Sequence, residues 1–188
     1  MGYLLPVEPV PFDDEFVDLI GDLVAGVTGL DRNQYVRPRW QPSPPKQPPP
    51  TVDWVAFGVQ QQIPDDNPVL RIDNADETQL RRSESVVIAL SFYGPRRAGY
   101  AGRFREGVHI DRNRWTLRAN GIAVTGVGPA VNAAEEVANK WEPRVDITAE
   151  FVREVGRKYE IRSFVAASGL IVTETLSVPF SVEGEENA

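Results

Sequence analysis

Few side chains in this sequence are of the types that carry out covalent chemistry. It contains no cysteine and a single histidine, His109. The sequence therefore offers no thiolate nucleophile, no disulfide, and no metal site built from Cys ligands or from a His cluster. His109 lies in an arginine-rich stretch in which no Ser and Asp complete a catalytic pattern with it. We expect a surface or interface histidine rather than a catalytic one.

The acidic residues form no recognisable catalytic or metal-binding pattern. The groups "PDDNP" (64–68) and "DNADE" (73–77) offer carboxylate oxygens, the ligands that calcium prefers. Neither group has the alternating spacing and terminal Glu of an EF-hand loop, so we predict solvated loop acids. Glu135, Glu136 and Glu150 are candidates for an acid/base pair. No second carboxylate at a fixed spacing supports this assignment. The sequence predicts no enzyme activity, no metal and no cofactor.

The glycine-rich stretch "TGVGPAV" (125–131) begins like a dinucleotide-binding loop. It lacks the third glycine and leads through proline into a stretch with no helical pattern, so it predicts a turn or bulge. The sequence also has neither a phosphate-binding loop ending in Gly-Lys nor a Gly-x-Ser-x-Gly elbow. Nucleotide binding and serine hydrolysis therefore have no support.

Positive charge is concentrated in one part of an acidic chain. The net charge is −7, which disfavours a free nucleic-acid-binding protein. Only Glu106 and Asp111 offset the arginines between 96 and 118, which are Arg96, Arg97, Arg103, Arg105, Arg112, Arg114 and Arg118. This pattern predicts a helix surface that faces solvent or an interface, with phosphate contact as the alternative.

Length and composition fit one globular domain without a membrane segment. The chain has 188 residues, of which 41% are hydrophobic, enough for a core. No run approaches the roughly 20 apolar residues that a spanning helix needs. The start, "MGYLLPVEPVPFDDEF", is broken by prolines and has no basic region, so it predicts neither a secretory signal nor, lacking the required Ser or Thr, a myristoylation site.

The first regular element is a helix within "PFDDEFVDLIGDLVAGVTGLD" (11–31). Its apolar residues recur at steps of three and four and share one face: Phe16, Leu19, Ile20, Leu23 and Val27. Asp13 is the expected N-cap and Gly29 the expected end. A single amphipathic helix of this length needs a partner to bury its apolar face, and that partner must come later in the chain.

Three segments predict the main strands of a sheet. "TVDWVAFGVQQQI" (51–63) is apolar on both faces over its first half, which is typical of a strand covered on both sides. "ETQLRRSESVVIALSFYGP" (77–95) is the strongest strand signal and ends at Gly94-Pro95. "WEPRVDITAEFVREVG" (141–156) alternates, with Val145, Ile147, Ala149 and Phe151 facing inward. "VLRID" (69–73) fits either a short strand or an ordered loop.

The remaining segments predict a second helix and further strands. "RRAGYAGRFREGVHIDRNRWTLRANG" (96–121) is helical, with "HIDRN" (109–113) dividing it and Gly121 ending it. The residues expected on its buried face are Ala101, Phe104, Val108, Trp115 and Ala119. "IAVTGVGPAV" (122–131) predicts an interrupted strand, and "NAAEEVANK" (132–140) a connection with at most one helical turn. "KYEIRSFVAASGLIVTETLSVPFSV" (158–182) predicts one or two more strands.

This order of elements predicts an α+β fold, with two main helices packed on an antiparallel or mixed sheet. Because the first helix has no upstream partner, the proline run in "WQPSPPKQPPPTVDW" (40–54) is expected to be a stiff connection inside the domain rather than a linker. Its PxxP spacing also fits an SH3-type ligand, a less favoured interpretation.

The predicted organisation is an N-terminal extension at 1–11 and a single α+β domain at 12–182. That domain would contain a Pro-rich internal loop at 41–50 and an additional hairpin or arm at 157–182. An acidic tail follows at 183–188.

The order of these segments resembles the neck-terminator and tail-terminator proteins of tailed bacteriophages. The resemblance runs over residues 12 to 155 and rests on four features: "FVDLIGDLVAGV" before a Pro-rich loop, "VDWVAFGV", a long strand ending "SFYGP" directly before a helix, and "ANGIAVTGVGPAV" followed by "WEPR". The chain departs from that pattern in its long terminal stretch, 157–182.

The resemblance implies a structural virion protein with a terminator-like fold. Such proteins form a ring, usually of six subunits, at the head-proximal end of the tail. There they end polymerisation of the tail tube and face the head-side connector. The implied partners are other copies of this chain, the tail tube protein, a head-side connector or head-completion protein and the sheath protein, with DNA passing through the lumen unbound. The implied location is the virion neck, after assembly in the host cytoplasm.

The rigid proline segment and the basic helix are the predicted contact sites in such a ring. The residues that we expect at the assembly interface are Pro44, Pro45, Pro48, Pro49, Arg96, Arg97, Arg103 and Arg105. The alternatives are another connector, tail-completion or baseplate component, or a nucleic-acid-binding α+β module that uses the arginine-rich helix. The salt dependence of binding distinguishes the nucleic-acid-binding module from the structural alternatives, because the affinity for phosphates falls steeply as ionic strength rises.

Overall fold

Seven strands form one mixed sheet in the computed structural model, which describes residues 4–7, 14–72, 77–137, 139–160, 166–172 and 177–183. The strands are β1 (Val36–Pro38), β2 (Trp54–Pro64), β3 (Val69–Ile72), β4 (Glu77–Tyr93), β5 (Ile122–Val127), β6 (Val131–Val137) and β7 (Lys140–Glu160). The order is β1-β2-β4-β7-β5, with β3 beside β4 and β6 beside β7. β1 runs parallel to β2, whereas β4 runs antiparallel to β2. The predicted α+β class with a mixed sheet is confirmed.

The chain divides into two compact units. One, here called the helical unit, comprises residues 11–66 and 83–154, and the other, the strand unit, comprises residues 1–10, 67–82 and 155–188. All helices of the described residues lie in the helical unit: α1 (Asp14–Thr28), α2 (Arg97–Gly107), a 3-10 turn (Asp111–Arg114) and α3 (Trp115–Ala119). No described helix is both long and apolar enough to cross a membrane.

The first helix follows the apolar pattern of its sequence. Phe16, Ile20 and Leu23 are buried, and Leu19 and Val27 pack against the same core. The helix ends before Gly29, whose φ of +77° is a left-handed conformation that glycine adopts without strain. The predicted helix and its end are confirmed, whereas the predicted cap, Asp13, lies outside the described residues.

The second helical region divides where the sequence predicted, but one part of its buried face was predicted wrongly. Ala101, Phe104 and Val108 are buried, whereas Trp115 and Ala119 are exposed and Leu117 is buried instead. The 3-10 turn between α2 and α3 breaks the helical repeat. Buried positions extrapolated from α2 at 3.6 residues per turn are therefore not the buried positions of α3.

The core of the helical unit lies between the helices and one face of the sheet. Phe92 of β4 meets Phe104 of α2 with ring centroids 6.2 Å apart. Alternate residues of β7, the predicted set Val145, Ile147, Ala149 and Phe151, are all buried in this core. The alternation that the sequence predicted for this strand is confirmed.

The proline segment connects elements of this one core. Phe16 and Val36 come before the segment, Val55 and Phe57 come after it, and all four are buried in the same cluster. Residues 41–49 contain neither helix nor strand. The first five residues of β2 are buried, as predicted for a strand covered on both faces. The wider prediction of a single domain at 12–182 stays a prediction.

The segment "NAAEEVANK" was predicted wrongly as a connection. Residues 131–137 form β6, which pairs antiparallel with β7 from Val131 opposite Asp146 to Val137 opposite Lys140. Pairing along this whole length outweighs the helix preference of Ala and Glu, because strand formation depends on cross-strand neighbours more than on intrinsic propensity. Asn139, with φ of +61°, stands in the turn between the strands, a conformation that Asn tolerates.

The strand unit contains β3 with the first residues of β4, the end of β7, and a separate two-stranded sheet. β3 settles the open interpretation of "VLRID" in favour of a strand. β8 (Ala166–Val172) and β9 (Ser177–Glu183) pair antiparallel, within the stretch where an extra hairpin or arm was predicted. Only residues 4–7 of the predicted extension and Glu183 of the predicted acidic tail are described.

Candidate assembly interface

A sharp turn joins the end of β4 to the start of α2. Gly94 has a φ of +95°, and a Cβ atom there would lie 2.5 Å from the carbonyl oxygen of Val52 and 2.7 Å from Cα of Asp53. Both obstacles are backbone atoms, which cannot move aside cheaply. Glycine is therefore required at this point of the "FYGP" stretch, and it brings the start of α2 against the residues that precede β2.

Asp53 connects these two segments by hydrogen bonds. Its Oδ1 accepts from the backbone N–H of Arg96 at 2.7 Å, and its Oδ2 accepts from Nε of Arg96 at 2.8 Å. The Asp53 side chain is 7% exposed and that of Arg96 is 74% exposed, so the carboxylate is buried while the guanidinium reaches solvent. The hydrogen bond to Asp53, and after it Coulombic interactions with Tyr100 and Asp53, raise the pKa of Arg96 above its ordinary value.

Two aromatic rings stack on the sheet face that lies opposite the core. Trp54 of β2 is the cross-strand partner of Tyr93 of β4. Their ring centroids are 4.2 Å apart with an interplanar angle of 7°. The guanidinium carbon of Arg37 lies 5.8 Å from the Trp54 ring centroid. The stack forms a flat, apolar floor beside the β4–α2 turn.

This floor belongs to a surface groove of about 490 Å³, here called the aromatic groove. Three aromatic and four proline side chains line it: Trp54, Tyr93, Trp141, Pro48, Pro50, Pro95 and Pro143. Gly94, Arg97 and Glu142 complete the lining. Trp141 is 71% exposed, which is unusual for so large an apolar side chain. The groove is therefore apolar, shaped by rigid residues and open to solvent, as in sites that bind another polypeptide.

Hydrogen bonds hold the proline segment beside the groove. Nη1 of Arg37 donates to the carbonyl oxygen of Lys46 at 2.7 Å. Nε2 of Gln47 donates to Oε2 of Glu142 at 2.9 Å, which joins the segment to the start of β7. These contacts and the fixed φ of proline make the segment a pre-ordered wall, so little conformational entropy is lost when a partner docks.

The structure brings together only some of the residues predicted for the interface. Pro48 and Arg97 line the aromatic groove, and Nη1 of Arg97 donates to the carbonyl oxygen of Gly94 at 3.2 Å. Pro49 lines a second hollow, together with Gln34 and Pro48.

The other predicted interface residues lie outside the groove. Pro44 and Pro45 are exposed and line neither hollow. Arg96 and Arg103 lie over the ring of Tyr100, with guanidinium carbons 5.5 and 5.4 Å from the ring centroid. Arg105 is exposed on α2.

The aromatic residues of the groove are the part that the interface prediction missed. Trp54 and Trp141 were assigned to strands, and neither was named as a contact residue. A signal was present in the sequence, because the stretches "VDWVAFGV", "SFYGP" and "WEPR" each place an aromatic ring next to a strand end. Only the pairing of β2 with β4 and the position of β7 show that these three stretches meet.

The residues first considered for chemistry lie apart from the groove. His109 is exposed in the turn after α2, as predicted, and Glu136 and Glu150 are exposed on strands. The "PDDNP" stretch is an exposed turn, whereas residues 73–76 of "DNADE" lie outside the described residues. Over the described ranges, no group of three or more side chains is arranged to hold a metal ion.

Fold and groove together define an α+β protein with a surface suited to contacts with other polypeptide chains. The chain belongs to the phage neck terminator protein family, whose model matches residues 14–175. It is thus a structural protein of the bacteriophage neck, and the resemblance seen in the sequence is confirmed. The match covers every residue that lines the aromatic groove and extends into the terminal stretch. No curated protein matches the chain.

Proposed function

We propose that copies of this protein form a closed ring of six subunits at the head-proximal end of the phage tail. The ring ends polymerisation of the tail tube and joins the tail to a head-side connector or head-completion protein. Membership in the neck terminator family carries this proposal, because the match spans α1, the sheet core and the groove. The role is structural rather than catalytic, and assembly takes place in the host cytoplasm.

The sheet offers surfaces through which subunits can associate head to tail. In a ring, one patch of each subunit contacts an unlike patch of the next subunit. The rotation that relates successive subunits must bring the last one back to the first. β5 and β6 both pair with β7, and neither has a second neighbour among the described strands. Their outer backbone groups form an open edge, to which a strand of another copy can add. β4 and β7, with 17 and 21 residues, are much longer than the usual strand of about 5–6 residues, which supports an extended role in assembly.

The aromatic groove and the basic helix are the second, unlike patch of this proposal. The groove holds Pro48 and Arg97, whereas Arg96 and Arg103 lie over the Tyr100 ring and Arg105 is exposed on α2. Pro44, Pro45 and Pro49 extend the same segment. Apolar groove contacts would supply affinity, whereas the charged rim would select the partner's orientation.

The net charge of −7 fits a ring through which DNA passes. Acidic groups facing a central channel repel phosphates, so DNA slides past without specific binding. The remaining partners of the proposal are the tail tube protein and, in a contractile tail, the sheath protein.

Light scattering of the purified protein, followed by electron microscopy of the particles it forms, tests the ring directly. We expect a mass of several subunits and annular particles. Charge reversal at Arg96, Arg97 and Arg103 should weaken both ring formation and joining of tails to heads. Arg112→Glu, on an exposed residue outside the predicted interface, serves as the control. A triple variant that remains folded and still assembles and joins tails normally would remove these arginines from the interface.

A further inference from the structure

We propose that the aromatic groove binds the N-terminal segment, residues 4–9, of a second copy of this chain. This proposal depends on the proposed ring at one point: it takes the second copy to be the neighbouring subunit of that ring. Its observations are independent of the family match, since they concern the chemistry of the groove and that of the segment.

The groove has the composition of a site for an extended, proline-containing peptide. Trp54 and Tyr93 form its stacked floor, and Trp141 stands exposed at one side. Rigid aromatic walls of this kind bind the polyproline II conformation, which is already ordered before docking and so loses little entropy. The volume of about 490 Å³ is within the range of roughly 300–1,000 Å³ found for sites that bury a ligand.

The N-terminal segment has the matching composition. "LLPVEP" (4–9) places prolines at 6 and 9, and each restricts the residue before it to an extended conformation. The segment also exposes the apolar side chains of Leu4 and Leu5, at 61% and 78%. Such side chains are expected to be covered in an assembly. Within its own chain, the backbone N–H of Val7 donates to the carbonyl oxygen of Lys158 at 2.9 Å.

Charge complementarity sets the orientation of the segment in the groove. In a polyproline II helix, with three residues per turn, Leu5 and Glu8 share one edge about 9 Å apart. With Leu5 against the aromatic floor, Glu8 faces a charged rim residue. Arg97 is the cation of that rim, whereas the carboxylate of Glu142 already accepts from Gln47. No Lys or Arg precedes Arg32 in the sequence, so no basic side chain of the segment opposes Arg97.

Peptide binding tests the groove without requiring a ring. The full chain carrying Leu4→Ser and Leu5→Ser is titrated into a labelled peptide of residues 1–13, with anisotropy as the readout. We expect saturable binding that falls at least about tenfold with Trp141→Ala, in keeping with the energy of a buried aromatic anchor. Since Trp141 is largely exposed, this variant should fold normally.

A peptide carrying Leu5→Ser should bind as weakly as the unchanged peptide binds the Trp141→Ala chain. Arg97→Glu should weaken binding more at low salt than at high salt. Equal affinity of the Trp141→Ala chain, or no binding at millimolar concentration, would overturn the proposal and leave the groove to another partner.

The absence of natural cysteine allows a direct test that the segment comes from another copy. Chains carrying only Leu4→Cys, which keeps the Leu5 side chain, are mixed with tagged chains carrying only Glu142→Cys and oxidised. We expect a disulfide between the two kinds of chain, and none when the second chain carries Ala119→Cys, an exposed residue that does not line the groove. Rings without this cross-link would refute the docking and leave the proposed function standing. Peptide binding by a chain that never forms rings would refute the proposed function alone.

Discussion

Arg153 and Glu84 form a buried ion pair that joins β7 to β4, the two longest strands. Nε of Arg153 donates to Oε2 of Glu84 at 2.7 Å, and the side chains are only 8% and 5% exposed. The guanidinium carbon also lies 4.6 Å from the ring centroid of Phe16, so the pair connects both strands with α1. Replacing Arg153 by Met leaves the Glu84 carboxylate buried without its cation. We therefore expect a loss of about 3–5 kcal/mol in the free energy of unfolding.

Urea denaturation at a fixed protein concentration measures this loss. With a slope of about 2 kcal/mol per molar urea, a loss of about 4 kcal/mol lowers the midpoint by about 2 M. Replacing both partners, as Arg153→Met with Glu84→Leu, should recover most of the loss, because no uncompensated charge remains in the core. The double variant separates the cost of burying a lone charge from the net contribution of the pair.

The chain offers a control pair with the same N–O distance and different burial. Arg118 and Asp111 also approach to 2.7 Å, but their side chains are 53% and 61% exposed. Arg118→Met should therefore cost between zero and about 1 kcal/mol. If Arg153→Met proves as mild as Arg118→Met, burial does not decide the energy of these pairs and the reasoning is wrong.

Three further predictions concern the turn beside the groove and the assembly. Gly94→Ala should lower the melting temperature by several degrees because the new methyl group meets the Val52 carbonyl. Gly99→Ala, in α2 with no atom within 4 Å of the new Cβ, should be neutral or stabilise by up to about 1 kcal/mol; equal effects of the two changes would contradict the turn geometry. Asp53→Ala should cost about 1–3 kcal/mol, because it leaves the backbone N–H of Arg96 without its acceptor; a loss too small to measure would be inconsistent with that hydrogen bond. The mass of the assembly should change little between about 0.05 and 0.5 M salt, whereas a phosphate-binding module would release DNA steeply over that range.

Where an element depends on its own residues, the sequence predicted it correctly. Three local patterns indicate which residues are buried. They are the apolar residues at steps of three and four in α1, the alternation in β7, and the apolar run on both faces at the start of β2. The prediction failed where a distant partner decides. The "NAAEEVANK" stretch forms most of β6 because β7 pairs with it, and Trp115 is exposed because the 3-10 turn shifts the phase of α3.

The aromatic groove shows the same division at the level of the candidate site. The sequence by itself determined that the proline segment is rigid, that Gly94-Pro95 ends a long strand, and that basic residues follow. Only the tertiary structure decided that Trp54, Tyr93 and Trp141 meet beside Arg97. The physical reason is that the position of a side chain along its own strand is a local property of the chain. Which strands become neighbours, and in what register, depends on cross-strand contacts between residues far apart in sequence.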